Sequence, residues 1–246
     1  MRLEKKVLTL MAVLAILSVG SARAVNIEQE PAQHAFDVIV DGAPNRPAPS
    51  GSQLISIVYD NSTATTALAF SSTEVTTRTY GDELFLTSTG LLSEMKFSIF
   101  NSGSSAGALL SATVQLEILD AATSTSLGTF SSLIGFGATG LAPGFYSVAT
   151  ITNLESLSIL VSTTNVLVTQ RITAKTGTAS RTGIASLSPP SVGSSPDHYF
   201  LSSPTVAAGF YTSASGAANP VYQLSVSPPP VSARPTSWSR VKNLYR

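Results

Sequence analysis

The stretch EMKFSIF, residues 94–100, decides the fold class of this 246-residue chain. Apolar and polar residues alternate along it, which is the two-residue period of a β-strand with one buried face. The same alternation recurs in ATVQLEILD (112–120) and in SLSILVS (156–162). All three runs are therefore predicted to be strands that turn one face to a common core. The side chains predicted to lie in that core are Met95, Phe97, Ile99, Val114, Leu116, Ile118, Leu157, Ile159 and Val161.

Further β-rich runs alternate with turns rich in Ser, Thr and Gly, and no amphipathic helix of ordinary length separates them. They are LISIVYD (54–60), DELFLT (82–87), FYSVATI (145–151), VLVTQRITA (166–174), TGIASL (182–187), DHYFL (197–201), AGFYT (208–212) and VYQLSV (221–226). Many short strands joined by turns are typical of an antiparallel sandwich. We therefore predict an all-β chain with a single antiparallel, jelly-roll-like β-sandwich over residues 51–226. The chain has no cysteine, so the packed core must stabilise that domain without disulfides.

Residues 1–24 have the three parts of a secretory signal peptide. A positively charged start precedes an apolar stretch over residues 7–19 and a small-x-small cleavage site, Ala22-Arg23-Ala24. The apolar stretch is too short to span a bilayer, which takes about 20 residues. We therefore expect cleavage between Ala24 and Val25, a secreted or cell-surface location, and no transmembrane helix in the mature chain.

Two proline-rich segments flank the predicted sandwich. Residues 25–50 show little periodicity, so they are predicted to form a lead-in on the surface. Residues 227–246 contain three consecutive prolines and several basic residues but no acidic one, so they are predicted to be a disordered, basic tail. The formal net charge is zero, and nothing resembles the basic face of a nucleic-acid-binding protein. No nucleic-acid partner is therefore expected.

Two glycine-rich stretches match cofactor-binding or catalytic patterns in their spacing only. GFGATGLAPGFYS (135–147) has the G-x-G-x-x-G spacing of a dinucleotide-binding loop, but Pro143 and Gly144 favour a turn where that motif needs a helix. GSSAG (103–107) has the G-x-S-x-G spacing of a nucleophile elbow around Ser105, yet the residues that follow alternate as a strand. Both are predicted to be loops between strands, and no nucleotide is expected as a ligand.

Candidate metal ligands are sparse. His34 and His198 are isolated and there is no cysteine, so no transition-metal cluster is predicted, and the chain is predicted not to be an enzyme. Calcium is the one ion for which oxygen ligands lie at strand ends, although the same residue types also cap turns. The candidate calcium ligands are Asp60, Asn61, Asp82, Glu83, Asp120 and Asp197.

Carbohydrate is a second ligand class for which the sequence supplies side chains. Aromatic rings can stack on the faces of sugar rings, but tyrosines in strands also pack in cores and at their rims. The candidates are Tyr146, Tyr199, Tyr211 and Tyr222. A carbohydrate-binding module that uses calcium and tyrosine-bearing loops is the alternative interpretation of the chain.

An ordered series of short motifs between residues 54 and 226 resembles one family of exported bacterial proteins. The motifs are VYDNST (58–63), TYGDELFL (79–86), LDAATSTSLGTF (119–130), GFGATGLAPGFYS (135–147), TTNVLVTQRITA (163–174), SLSPPSVGSSPDHYF (186–200) and GFYTSASGAANPVYQLSV (209–226). In that order they resemble the β-rich ectodomain of the PEP-CTERM proteins, the exosortase substrates of bacteria with exopolysaccharide-rich surfaces. The resemblance implies an exported, non-enzymatic β-sandwich protein of the cell surface or extracellular matrix, with extracellular polysaccharide as a possible partner.

The tail departs from the pattern of that family. Such proteins end in a Pro-Glu-Pro motif, one membrane helix and a short basic cluster. Here no glutamate lies between the prolines of residues 228–230, and no apolar helix follows. Secretion without that anchor is therefore expected, with two explanations open: a natural variant, or a shift of reading frame that replaced the anchor.

Overall fold

The computed structural model describes residues 23–24, 29–42, 54–63, 66–187, 189–213 and 219–228. These residues are all-β, as predicted, with one short 3₁₀ helix at Leu154–Leu157. The strands are β1 (Arg23–Ala24), β2 (Gln29–Asp41), β3 (Ser56–Asp60), β4 (Thr66–Ser72), β5 (Thr79–Phe85), β6 (Gly90–Asn101), β7 (Leu109–Asp120), β8 (Ser126–Gly135), β9 (Phe145–Thr152), β10 (Leu160–Val161), β11 (Asn165–Gly177), β12 (Thr182–Leu187), β13 (Tyr199–Ser203), β14 (Val206–Thr212), β15 (Asn219–Pro220) and β16 (Tyr222–Ser227). The rest of the predicted signal peptide (1–22) and the predicted tail from residue 229 lie outside the described residues.

The described strands form two sheets. Sheet I has seven strands in the order β1-β14-β13-β5-β11-β7-β8. Sheet II has nine, in the order β15-β12-β4-β2-β9-β6-β16-β3, with β10 paired to β6. Most neighbours are antiparallel, but β2 is parallel to β9 and β1 is parallel to β14. The prediction of a purely antiparallel fold is therefore wrong for these two pairs, and a jelly-roll order is not confirmed.

The main core lies between the sheets, where β6, β9 and β16 of sheet II face β7 and β11 of sheet I. Eight of the nine side chains predicted for this core are buried, and the ninth, Leu157, is partly buried against them. The prediction of one shared core is therefore confirmed. Because burial of apolar surface is the dominant favourable term in folding, this core is what holds the two sheets together.

One part of sheet II closes into a small barrel, which the sequence did not predict. Strand β12 pairs with β4 on one side and with β6 on the other, so that β2, β4, β12, β6 and β9 form a ring. Gly183 lies at the closure, opposite Ser71 and Phe100. A Cβ atom there would lie 1.6 Å from the carbonyl oxygen of Phe70, so only glycine allows the strands to approach this closely. Apolar side chains pack together in this part of the fold: Ala32, Ala69, Phe100, Tyr146, Val148, Ala185, Leu187 and Val221.

The outer wall of this barrel packs against sheet I. Phe70 of β4 and Ile184 of β12 contact aromatic residues of β5, β13 and β14. The rings of Phe70 and Tyr199 stack with their centroids 4.4 Å apart. Sheet I therefore covers two cores with one face, the main core at one end and this smaller aromatic core at the other.

Residues 29–41 correct the prediction of an irregular lead-in over 25–50. They form β2, a long strand that pairs with β4 and then, after a break in register, with β9. Phe36, Val38 and Val40 are partly buried, and the residues between them are exposed. Prolines, among them Pro31, made this segment look irregular in the sequence. Pro31 nevertheless lies within the strand, with its side chain exposed. The residues of the lead-in beyond position 42 fall outside the described residues until Leu54.

Residues 156–162 correct a second prediction. Instead of one strand, the chain makes the 3₁₀ helix and then only the two residues of β10. Leu154 is buried and Leu157 is partly buried, which fits the three-residue period of a 3₁₀ turn. Ser158 ends the helix in a left-handed conformation (φ 58°).

The two glycine-rich stretches are loops between strands, as predicted. Residues 136–144 connect β8 to β9, and Gly137, Gly140 and Gly144 have positive φ angles that favour glycine. Residues 102–108 connect β6 to β7. No helix among the described residues is long and apolar enough to cross a membrane.

Candidate functional site

The predicted calcium ligands do not converge. Glu83 points away from Asp82 because neighbours in a strand face opposite sides of the sheet. Asp120 caps the turn after β7, where its Oδ1 accepts the N–H groups of Ala122 (2.9 Å) and Thr123 (3.0 Å). Within the described ranges, no group of three or more His, Cys, Asp or Glu side chains could hold a metal ion. The candidate set therefore does not form the predicted calcium site.

Asp60 and Asn61 stabilise the end of β3. Asp60 accepts both the backbone N–H (2.9 Å) and the hydroxyl (2.7 Å) of Ser62. Asn61 is buried, and its Nδ2 donates to the carbonyl oxygens of Leu187 (3.2 Å), Asn219 (3.1 Å) and Pro220 (3.3 Å). These contacts join β3 to the ends of β12 and β15. The two residues therefore act in the fold, in the way that turn-capping Asp and Asn do.

All four tyrosines proposed for carbohydrate stacking are buried. Tyr146 lies in the barrel, Tyr199 and Tyr211 lie in the aromatic core under sheet I, and Tyr222 lies in the main core. A buried ring has no free face on which a sugar could stack. This finding corrects the prediction: the tyrosines pack in cores, which was the other role considered for them.

Asp82 is the center of a buried polar cluster. Its side chain is fully buried on the inner face of β5, and both of its carboxyl oxygens lie 2.9 Å from the Ser195 hydroxyl. Asn219 approaches the same hydroxyl with its Oδ1 at 3.3 Å. The hydroxyls of Tyr59 and Tyr222 are also buried near this carboxyl, and among the described residues neither has a partner that meets ordinary hydrogen-bond geometry, although the Tyr59 hydroxyl lies close to Ser195.

The surroundings of Asp82 favour its neutral form. Burial raises the pKa of the Asp82 carboxyl well above its usual range, because the charged form loses its hydration there. The hydroxyl of Ser195 and the backbone N–H of Glu83 oppose this rise, and the Glu83 carboxylate adds to it. Burial likewise raises the pKa of Tyr59, whose hydroxyl lies near Asp82. The surroundings of Asp82 therefore favour the protonated form of its carboxyl group.

The outer face of sheet I carries a row of partly exposed rings, which we call the aromatic strip: Phe85, His198, Phe200 and Phe210. Phe85 is 40% exposed, and the other three are partly buried. The His198 and Phe210 rings lie 4.4 Å apart, and the Phe200 and Phe210 rings meet edge to face at 5.8 Å. Phe85, Phe200 and Phe210 belong to the neighbouring strands β5, β13 and β14, and His198 directly precedes β13.

Polar side chains border the aromatic strip. The Glu83 carboxylate lies 3.4 Å from His198 Nε2 and accepts a hydrogen bond from Asn165 Nδ2 (3.0 Å). Burial lowers the pKa of His198, while Glu83 opposes that shift. Gly81 lies beside Phe200, and a Cβ atom there would be 2.5 Å from the Val168 carbonyl oxygen. Rings and hydrogen-bonding groups therefore lie on the same face of sheet I.

The sequence contains a signal for the aromatic strip. The pairs Tyr199-Phe200 and Phe210-Tyr211 are adjacent aromatics in strands, and one member of each pair must face outward. The tyrosines take the inner face and the phenylalanines take the outer face. Strand parity therefore separates the partly exposed rings from the buried ones, which residue type alone does not.

The histidines lie at the surface with carboxylate partners. His34 on β2 lies 2.8 Å from Asp37 through its Nε2 atom, and its ring contacts the Tyr146 ring at 5.2 Å. His198 pairs with Glu83.

Comparison of the chain with family models, curated proteins and solved structures finds no match.

Proposed function

We propose that this chain is an exported, non-enzymatic protein of the cell surface or extracellular matrix that associates with extracellular polysaccharide. The observation that carries the proposal is the aromatic strip with its bordering Glu83 and Asn165. Binding sites for neutral ligands combine aromatic surface with a few fixed polar groups. Sugars match that mixture, since they have apolar ring faces and polar edges.

The roles of the other polar groups support a binding rather than a chemical function. Asp82 anchors Ser195, Asp120 caps a turn, and Glu74 pairs with Arg78 at 2.6 Å. Each of these acidic side chains stabilises a loop or strand end.

The proposal also includes export through cleavage between Ala24 and Val25. Arg23 and Ala24 form β1, which pairs with Tyr211 and Thr212 of β14. Removal of this two-residue strand would leave the core strands in place, because β1 lies at the edge of sheet I. The mass of protein recovered outside the cells should therefore correspond to a chain that begins at Val25. Recovery of the intact chain from Met1 would contradict this part of the proposal.

The experiment that tests matrix association is fractionation of the producing cells. The natural protein should be recovered with the matrix polysaccharide, and the double variant Phe200→Ala/Phe210→Ala should shift to the soluble medium. Leu133→Ala is the matched control, because Leu133 is 63% exposed at the opposite edge of sheet I. Equal distribution of all three proteins would contradict the assignment of the aromatic strip.

A further inference from the structure

Residues 189–198, which we call the crossover segment, tie the two sheets together beside the main core. At β3, the backbone N–H of Asp60 donates to the carbonyl of Val192 (3.1 Å). At β5, Phe85 and Ser194 exchange two backbone hydrogen bonds of 2.8 and 3.1 Å. Because β3 is the edge strand of sheet II and β5 belongs to sheet I, this short segment spans the gap between the sheets.

One side chain of the crossover segment reaches the interior. The Ser195 hydroxyl has a single hydrogen, yet both Asp82 oxygens lie 2.9 Å from it and the Pro196 carbonyl oxygen lies at 3.2 Å. Oxygen atoms that close together need protons between them. A protonated Asp82 can donate to the Ser195 oxygen and leave the serine hydrogen for a neighbouring acceptor, whereas an ionised Asp82 can only accept.

The groups that face Asp82 do not compensate a negative charge. Tyr59 lies on β3 and Tyr222 lies on β16, and the hydroxyl of each is buried near the carboxyl group. Glu83, the next residue of β5, adds a negative charge of its own. On the crossover segment, Asp197 is exposed and His198 pairs with Glu83 on the outer face. None of these groups is a cation that contacts Asp82.

We propose that the crossover segment is a proton-dependent latch, which docks between the sheets while Asp82 is protonated and opens when Asp82 gives up its proton to solvent. An open segment exposes Asp82 to water, where its carboxyl group ionises at an ordinary pH. Docking therefore takes up one proton. Below the ordinary pKa of an Asp side chain both states are protonated, and the latch stays closed. As the pH rises from there towards the raised pKa of the docked state, the opening equilibrium becomes more favourable by about tenfold per pH unit.

The consequence for the molecule is a local, pH-controlled exposure. Opening frees the backbone N–H and C=O of Phe85 at the end of β5 and removes His198 from its place beside Phe210. The main core and the barrel do not include the crossover segment, so they stay folded. The latch does not depend on what the aromatic strip binds.

The test is amide hydrogen exchange of the full chain between about pH 5 and pH 9, corrected for the intrinsic pH dependence of exchange. In the natural protein, the amides of Asp60, Phe85 and Ser194 should lose protection by up to about tenfold per pH unit. The Asp82→Asn variant cannot ionise, so the same amides should show no such slope. The amide of Ala185, which donates to Ser98 in the barrel, is the internal control.

Two outcomes would overturn the latch: a flat pH profile in the natural protein, or the same slope in Asp82→Asn. Ser195→Ala removes the anchor and should lower protection of the three amides at every pH. If Asp82→Asn fails to fold, the carbon-13 shift of the Asp82 carboxyl group in the natural protein gives the answer. The pH at which that shift changes should lie well above the usual range for an aspartate. A change at a pH within the usual range would contradict the proposal.

Discussion

Substitution of Gly183 by alanine tests the barrel closure. The added Cβ atom would meet the Phe70 carbonyl oxygen at 1.6 Å and the Phe70 carbonyl carbon at 2.6 Å. Both atoms are backbone, so a side-chain rotation cannot relieve the contact, and β12 must move away from β4. Overpacking of a core costs about 1–3 kcal/mol, and lost ladder hydrogen bonds add to it. We expect a loss of roughly 3 kcal/mol or more in the free energy of unfolding.

Gly209→Ala is the matched control for that variant. Gly209 also lies in a strand, β14, but no atom of the described residues lies within 4 Å of the position of its Cβ. Alanine there should be neutral or stabilising by up to about 1 kcal/mol. Urea unfolding and thermal melting give both values, and for a domain of this size 1 kcal/mol corresponds to about 2–4 °C. Equal stability of the two variants would refute the closed barrel.

Three further predictions concern the buried polar and apolar groups. Ile118→Asp should lower the free energy of unfolding by several kcal/mol in urea, because it buries an unpaired charge in the main core. A decrease under about 1 kcal/mol would contradict a place for Ile118 in the core. Asn61→Ala should lower the free energy of unfolding by about 1–3 kcal/mol, since three carbonyl groups lose a donor. Ser131 is exposed, so the control Ser131→Ala should change that free energy little. As the pH rises above the usual aspartate range, the free energy of unfolding of the natural protein should fall relative to that of Asp82→Asn, by up to about 1.4 kcal/mol per pH unit. Parallel curves of unfolding free energy against pH for the two proteins would refute this.

Strand alternation made most of the fold predictable from the sequence. Strands β6 and β7 pack as their two-residue period indicates, and their inward residues meet in the main core. Strand β12 was predicted with its observed bounds, because turn residues mark both ends. Strand β8 was missed, since Ser and Thr occupy many of its positions and blur the alternation.

The barrel and the parallel pairing of β2 were not predictable by the same reasoning. Alternation tells which side chains share a face, but it does not tell which strands become neighbours. Gly183 is the residue that permits closure, and its role depends on the distance to Phe70, far away in the sequence. Pro31 argued against a strand where β2 runs, although a proline with an exposed side chain can lie within one.

The candidate site was predictable only in part. Asp82 was named as a calcium ligand, and its burial beside Ser195 gives it a different role. Residue type alone could not reveal this, because the burial of a strand residue depends on which elements cover its face. Phe200 and Phe210 were open to prediction through strand parity, since they flank tyrosines that fill the aromatic core.

The central claim, that the aromatic strip binds extracellular polysaccharide, is tested most directly by a binding isotherm. Polysaccharide purified from the matrix of the producing cells is titrated with the natural protein, with Phe200→Ala/Phe210→Ala and with the control Leu133→Ala. We predict saturable binding for the natural protein and the control, and a loss of at least about tenfold in affinity for the double variant, as expected when two aromatic contacts are removed. Equal affinity of all three proteins, or no binding by the natural protein, would contradict the claim.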